Sequence, residues 1–194
     1  MTTRLAKTRQ DAWLILNEFT KTDSLIKHGL AVEAAMRAYA RKYGADEELW
    51  GMAGLLHDFD YEQFPQIDQH AKEGARILKT HGFPEEVIYA VLAHNDATGA
   101  PRTHLVDQVL FAVDELTGLV TATALVRPSK SLHDVDAKAV AKKMKDKAFA
   151  RAVSREDITK GVQELGIDME EHFTFVIKAM QDVAAELGLE GTRS

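Results

Sequence analysis

GMAGLLHDFDYEQF, Gly51 to Phe64, reads as an apolar helix that stops on an adjacent imidazole and carboxylate, His57-Asp58. Taken alone, the pair has an ordinary reading: a histidine favoured by the helix C-terminal dipole, followed by a turn aspartate. Whether it carries chemistry depends on whether other ligand-type side chains recur at helical positions elsewhere in the chain.

On both sides of this segment the apolar residues keep a helical period, with no strand-like alternation and no internal repeat. The pattern predicts a first helix over about Thr8–Phe19. A second begins after the N-cap candidate Ser24 and stops at Gly44. The third runs from near Asp46 to His57-Asp58, the fourth from near Asp68 to the residue before Gly82. The fifth starts at Pro84 with Glu85 and Glu86 in its first turn, and the sixth covers about His104–Val126, before Pro128. Beyond it come a lysine-rich helix at Asp136–Lys147, one opened by the capping-box pattern Ser154–Asp157, and a last one over about Met169–Leu187. The fold class is therefore all-α, with about nine helices. No Pro/Gly/Ser-rich linker divides residues 1–194, so one domain is expected.

Composition narrows the chemistry. Of 194 residues, 45% are hydrophobic, enough for a substantial core. No cysteine is present, so disulfides and thiolate metal sites are excluded and any metal must take nitrogen and oxygen ligands. A formal net charge of −6 argues against a nucleic-acid polymer as partner. No run of about 18 apolar residues suggests a membrane span, and the polar start MTTRLAKTRQDAW lacks a signal core. A cytoplasmic protein is the simplest expectation, with an oligomer possible.

Other ligand-type residues do recur. His28 shares a helix stripe with Val32, Ala35 and Tyr39, and His94 shares one with Val91 and Val87. His70 falls in the first turn of the fourth helix, one turn before Gly74. Asp114 sits mid-helix among Phe111, Val113 and Leu116, an expensive place for a carboxylate without a partner. Each alone is read as a hydrogen-bonded or salt-bridged side chain. In the order His28, His57-Asp58, His70, His94, Asp114, they form an N/O donor set that suits Fe, Mn, Zn, Co or Ni. Helical bundles build such sites from inward-facing side chains on several helices.

The ordered motif resembles the HD-domain superfamily of metal-dependent phosphohydrolases over about residues 24–126, with a helical extension over about 134–188. His…His-Asp…Asp maps onto His28, His57-Asp58 and Asp114, and the additional His70 and His94 resemble the two-metal, HDIG-like branches. HDFDYE lacks the HD-I-G-K lysine, AHND lacks a double histidine and no GYP follows, which points away from cyclic-di-GMP. The resemblance implies one or two divalent transition-metal ions. His28, His57, Asp58 and Asp114 would hold the first, Asp58 would bridge, and His70 and His94 would complete the second. Metal-activated water would then cleave a phosphoester or phosphoanhydride of a small, nucleotide-like substrate. The same ligand order is similar to mixed-valent di-iron oxygenases of the superfamily, and a non-catalytic ligand-sensing module is a third reading.

Several neighbours are candidates for the rest of the machinery. Asp60 and Glu62, just after the pair, are candidate proton carriers. Arg102, in NDATGAPRTH, is a candidate phosphate ligand; Thr117 and Thr121, one and two turns past Asp114, are candidate pocket residues. Arg127 and Lys130 are unplaced anion ligands, and the basic stripe AKKMKDKAFARAVSR reads as a solvated face. His81, His104, His133 and His172 have no place in the pattern.

Overall fold

The computed structural model describes residues 7–191, and those residues form ten α-helices with no strand beyond one isolated bridge between Ser131 and Glu190. In chain order they are α1 (Arg9–Phe19), α2 (Asp23–Tyr43), α3 (Glu47–Leu56), α4 (Lys72–His81), α5 (Glu85–Ala93), α6 (Leu105–Leu125), α7 (Ala137–Lys145), α8 (Arg155–Leu165), α9 (Met169–Gln181) and α10 (Ala184–Leu187).

Capping chemistry sets most of the boundaries. Thr8 and Asp11 form a reciprocal capping box on α1, Asp46 accepts from the Leu49 amide to open α3, and Ser154 does the same with Asp157 for α8. Gly44 ends α2 in the left-handed region at φ +66°, where a glycine has no Cβ to strain.

Three expectations shift. Helix α2 starts at Asp23, with Thr22 rather than Ser24 at its N-cap. The predicted last helix is broken at Asp182-Val183 into α9 and α10. Helix α4 starts at Lys72, so His70 stands in the turn before it instead of in its first turn. The reason is Ala71, whose φ of +67° no α-helix accommodates.

The long α6 is the centre of the packing, with α2, α5, α8 and α9 against it. Thirteen of its residues are buried, including Leu110, Val113, Leu116 and Val120. By length and hydropathy it could cross a bilayer, but 61% of its apolar window is buried against the other helices. Its apolar character is thus accounted for by its place in the core.

Helices α2 and α3 make the most extensive pairing, and Gly54 is what lets them approach. A Cβ there would lie 2.9 Å from Met36 Cγ and 3.0 Å from Glu33 Cα. This close packing carries His28 on α2 to the ring of His57 at the end of α3. The tail helices α8 and α9 pack on α6 and α2, so the far wall of the same region is built from residues beyond 150.

Candidate metal centre

Six side chains converge from five segments: His28 from α2, His57 and Asp58 from the end of α3, His70 from the turn before α4, His94 from the end of α5, and Asp114 from α6. Among the described residues two groups could hold an ion, His28–His57–Asp58–Asp114 and Asp58–His70–His94, and they share only Asp58.

The two carboxylate oxygens of Asp58 face opposite ways. Oδ1 lies 3.0 Å from His70 Nε2 and 3.2 Å from His94 Nε2. Oδ2 lies 3.4 Å from His57 Nε2 and 3.8 Å from His28 Nε2. Asp114 Oδ1 is 3.0 Å from His28 Nε2 and 3.3 Å from His57 Nε2. Ligand atoms about 2.0–2.3 Å from one ion stand about 3.0–3.5 Å from each other, so most of these spacings suit shared coordination.

The hydrogen bonds on the far sides of the rings make the fit more specific. His57 Nδ1 donates to the Gly54 carbonyl at 2.8 Å, and His94 Nδ1 donates to the Val91 carbonyl at 2.5 Å. A carbonyl can only accept, so each Nδ1 carries a proton, and each ring in its neutral form turns an Nε2 lone pair inward. His70 Nδ1 donates to Asp60 Oδ1 at 2.9 Å, with the same result. Three imidazole lone pairs and the oxygens of two carboxylates therefore converge on one small volume. Such an array needs a cation at its centre, and a divalent metal meets the need.

In the metal-free molecule, protons take that part. Burial disfavours the charged form of His57, but Asp58 and Asp114 outweigh it and hold the imidazole well above its ordinary range. Burial likewise opposes His70, while hydrogen bonds donated to Asp58 and Asp60 push it up to about 9. Burial would raise Asp58, and the imidazoles of His57, His70 and His94 hold it well below the usual carboxylate range instead.

Above the cluster opens a cavity of about 620 Å³. Tyr61, Ile67, Phe111, Gly118 and Val153 are among the residues that line it. Among the described residues its lining contains no lysine or arginine. It does contain Asp96, Glu115 and Asp157 besides Asp58 and Asp114.

The residues expected to complete the machinery lie elsewhere. Asp60 is fully buried, accepts from His70 Nδ1 and from the Ala71 and Gly74 amides, and does not line the cavity. Glu62 is exposed, and its Oε2 accepts from the Lys21 and Thr22 amides ahead of α2. Arg102 is tied to Glu164 and Asp96 and lies 3.6 Å over the Phe111 ring, behind the cavity wall instead of in it. Thr117 is buried, donating to the Asp114 carbonyl with its Oγ1 3.5 Å from His28 Nδ1; it supports the site from below. Thr121 does not reach the lining, which on α6 ends with Gly118; Arg127 and Lys130 do not reach it either.

Glu115, Asp157, Tyr61 and Asn95 line the cavity without having been singled out by the sequence. Glu115 accepts from the Ser154 amide at 2.9 Å and so joins α6 to the start of α8. The only sequence signal was a second acid beside Asp114 on an apolar helix. His172, set aside as ordinary, is buried and bridges α9 to α2 and α6 through the Tyr39 hydroxyl and the Ala112 carbonyl.

Known proteins resemble this chain in sequence and fold. Residues 25–119 match the HD domain family. The chain is 28% identical over 137 residues to Ribonuclease Y of Desulfotalea psychrophila, covering 69% of this chain and 26% of that protein. It is 31% identical over 85 residues to Ribonuclease Y of Lawsonia intracellularis, covering 43% of this chain and 16% of the relative. The chain thus spans about a quarter or less of the length of these relatives. The HD domain of the L. monocytogenes phosphodiesterase PgpH superposes with a TM-score of 0.55 at 14% identity, covering 90% of this chain and 98% of that one. The ordered histidines and aspartates and the family match agree: residues 25–119 of this chain are an HD domain.

Proposed function

We propose that the chain is a metal-dependent phosphohydrolase acting on a phosphoester or phosphoanhydride of a small, nucleotide-like substrate. The observation that carries the reading is Asp58, whose Oδ1 faces His70 and His94 while its Oδ2 faces His57 and His28. That is the arrangement a bridging carboxylate needs between two ions. The HD phosphodiesterase fold and the ribonuclease relatives favour phosphoester chemistry on such a donor set.

In this reading His28, His57, Asp58 and Asp114 hold one ion and Asp58, His70 and His94 a second, drawn from Fe, Mn, Co, Ni or Zn because the donors are nitrogen and oxygen only. Bound there, divalent metal supplies charge neutralisation at a phosphoryl oxygen and an acidified water. The protein's own part is to hold the donors rigid through the Gly54, Val91 and Asp60 hydrogen bonds, and to enclose the reacting group in the cavity lined by Tyr61 and Phe111 among others.

The cavity also bears on substrate size. With several carboxylates and, among the described residues, no lysine or arginine in its lining, recognition of a phosphate falls to the metals, and a long polyanion meets repulsion at the walls. A small molecule carrying few negative charges is therefore favoured over a nucleic-acid polymer, in keeping with the net charge of −6.

The test is phosphate release from a panel of mononucleotides, dinucleotides, sugar phosphates and a short RNA. It uses protein stripped of metal and reloaded with Mn, Fe, Co, Ni or Zn. Metal-dependent turnover of a small member supports the reading. No release from any member, with O₂ consumption by the iron form and an organic substrate, moves the assignment to the oxygenase class.

A further inference from the structure

We propose that Asp60 is a positioning residue that builds the second half-site, by fixing both the tautomer of His70 and the backbone turn that carries it. The inference rests on the metal-site reading above.

Asp60 is a fully buried carboxylate whose partners are all on one short segment. Its Oδ1 accepts from His70 Nδ1 at 2.9 Å, and its Oδ2 accepts from the amides of Ala71 at 2.9 Å and Gly74 at 2.8 Å. Ala71 holds φ at +67°, where an alanine is strained, and it is the residue that turns the chain between His70 and α4. Gly74 has no side chain, and a Cβ there would stand 3.0 Å from Asp60 Cγ and 3.1 Å from Phe59 Cε1. One carboxylate thus organises a non-helical turn, the first turn of α4 and the ring of a ligand histidine.

The chemistry follows from acceptor count. An ionised carboxylate only accepts, so His70 must carry its proton on Nδ1, leaving the Nε2 lone pair 3.0 Å from Asp58 Oδ1. His57 and His94 obtain the same tautomer from backbone carbonyls at the ends of their own helices, where such carbonyls are free. His70 precedes its helix and has no carbonyl in that position. A side-chain acceptor is required, and Asp60 supplies it.

Asp60→Asn is the discriminating variant because it keeps the shape. The two amides of Ala71 and Gly74 need an acceptor, so the asparagine oxygen faces them and its NH₂ faces His70 Nδ1. His70 is then driven to the Nε2–H tautomer, and its ligand position is blocked. The first half-site, none of whose ligands is a hydrogen-bond partner of the Asp60 carboxylate, keeps its ion.

The experiment is Zn²⁺ titration of metal-free wild type and Asp60→Asn, together with ¹⁵N spectra of the imidazoles where they are neutral. Wild type is expected to bind two ions with His70 protonated on Nδ1. The variant is expected to bind the first ion unchanged and the second about 10–100-fold more weakly, with His70 protonated on Nε2. A variant that binds both ions as wild type does, or a wild type with His70 already protonated on Nε2, overturns the proposal. If the variant does not fold, the wild-type tautomer still decides. If wild type binds no Zn²⁺ while His70 switches tautomer in the variant, the metal reading fails and the coupling of Asp60 to His70 is upheld.

Discussion

His28 Nε2 and His57 Nε2 stand 3.1 Å apart, although they come from two different helices and 29 residues separate them in the chain. Two imidazole nitrogens at that distance share a proton or a cation, since two facing lone pairs repel. Asp114 Oδ1 closes the triangle at 3.0 and 3.3 Å. The core of the helical bundle has thus been shaped around a positive charge, which protons on the imidazoles supply in the metal-free molecule.

Metal binding is therefore expected to add directly to stability. An ion at 100 times its dissociation constant that binds only the folded state contributes about 2.7 kcal/mol. For a chain of this size that raises the melting temperature by roughly 5–10 °C. Thermal melts with and without a chelator check this, and His28→Ala should remove most of the increment from the first half-site. Equal melting temperatures in both conditions would contradict it.

Arg102 is expected to matter for stability and not for substrate affinity. Its guanidinium bonds Glu164, Asp96 and the Ala93 carbonyl while covering the Phe111 ring, which fastens the loop after α5 to α8. Arg102→Met should cost about 2 kcal/mol in denaturant unfolding. KM should change by less than about twofold. A tenfold rise in KM with stability intact would restore Arg102 as the phosphate ligand that its loop position suggests.

His172 gives the fold an acid-sensitive joint away from the metal centre. Burial pushes its imidazole down to about 4 from an ordinary value of 6.5. The unfolded chain therefore binds more protons between those values, and stability present above about pH 6.5 is lost as pH falls towards 4. The full loss is on the order of 3 kcal/mol. Denaturant midpoints measured from pH 7.5 to 4 should fall through this window, and more shallowly in His172→Gln. Parallel profiles for the two proteins would show that the acid sensitivity arises elsewhere.

Sequence carried the helices and the six convergent residues well, because both are written in short-range signals. Thr8, Asp46, Gly44 and Ser154 mark helix ends by chemistry that acts within four residues, and the HD motif is an ordered series of rare residue types. What it could not show is which neighbours face the cavity. Asp60 and Glu62 follow Asp58 closely, yet Asp60 is drawn into the core by the Ala71–Gly74 turn and Glu62 out towards the Lys21 and Thr22 amides. Arg102 finds Glu164 62 residues away, and Glu115 and Asp157 meet the cavity only because α8 packs on α6. Those are tertiary facts with no local signature. The positive φ of Ala71 was equally hidden, since alanine normally extends a helix.

The most direct test of the account is the joint measurement of bound metal and phosphate release in Asp58→Ala against wild type. Asp58 contributes an oxygen to each half-site, so its loss should empty or severely weaken both. Turnover should then fall by orders of magnitude, about 10³-fold or more, because the reaction has no nucleophile of comparable strength without the metal. The helical fold should persist, with circular dichroism close to wild type, since the apolar packing of α2, α3 and α6 is untouched. A variant that is metal-free yet hydrolyses the same substrate at a wild-type rate would contradict the account.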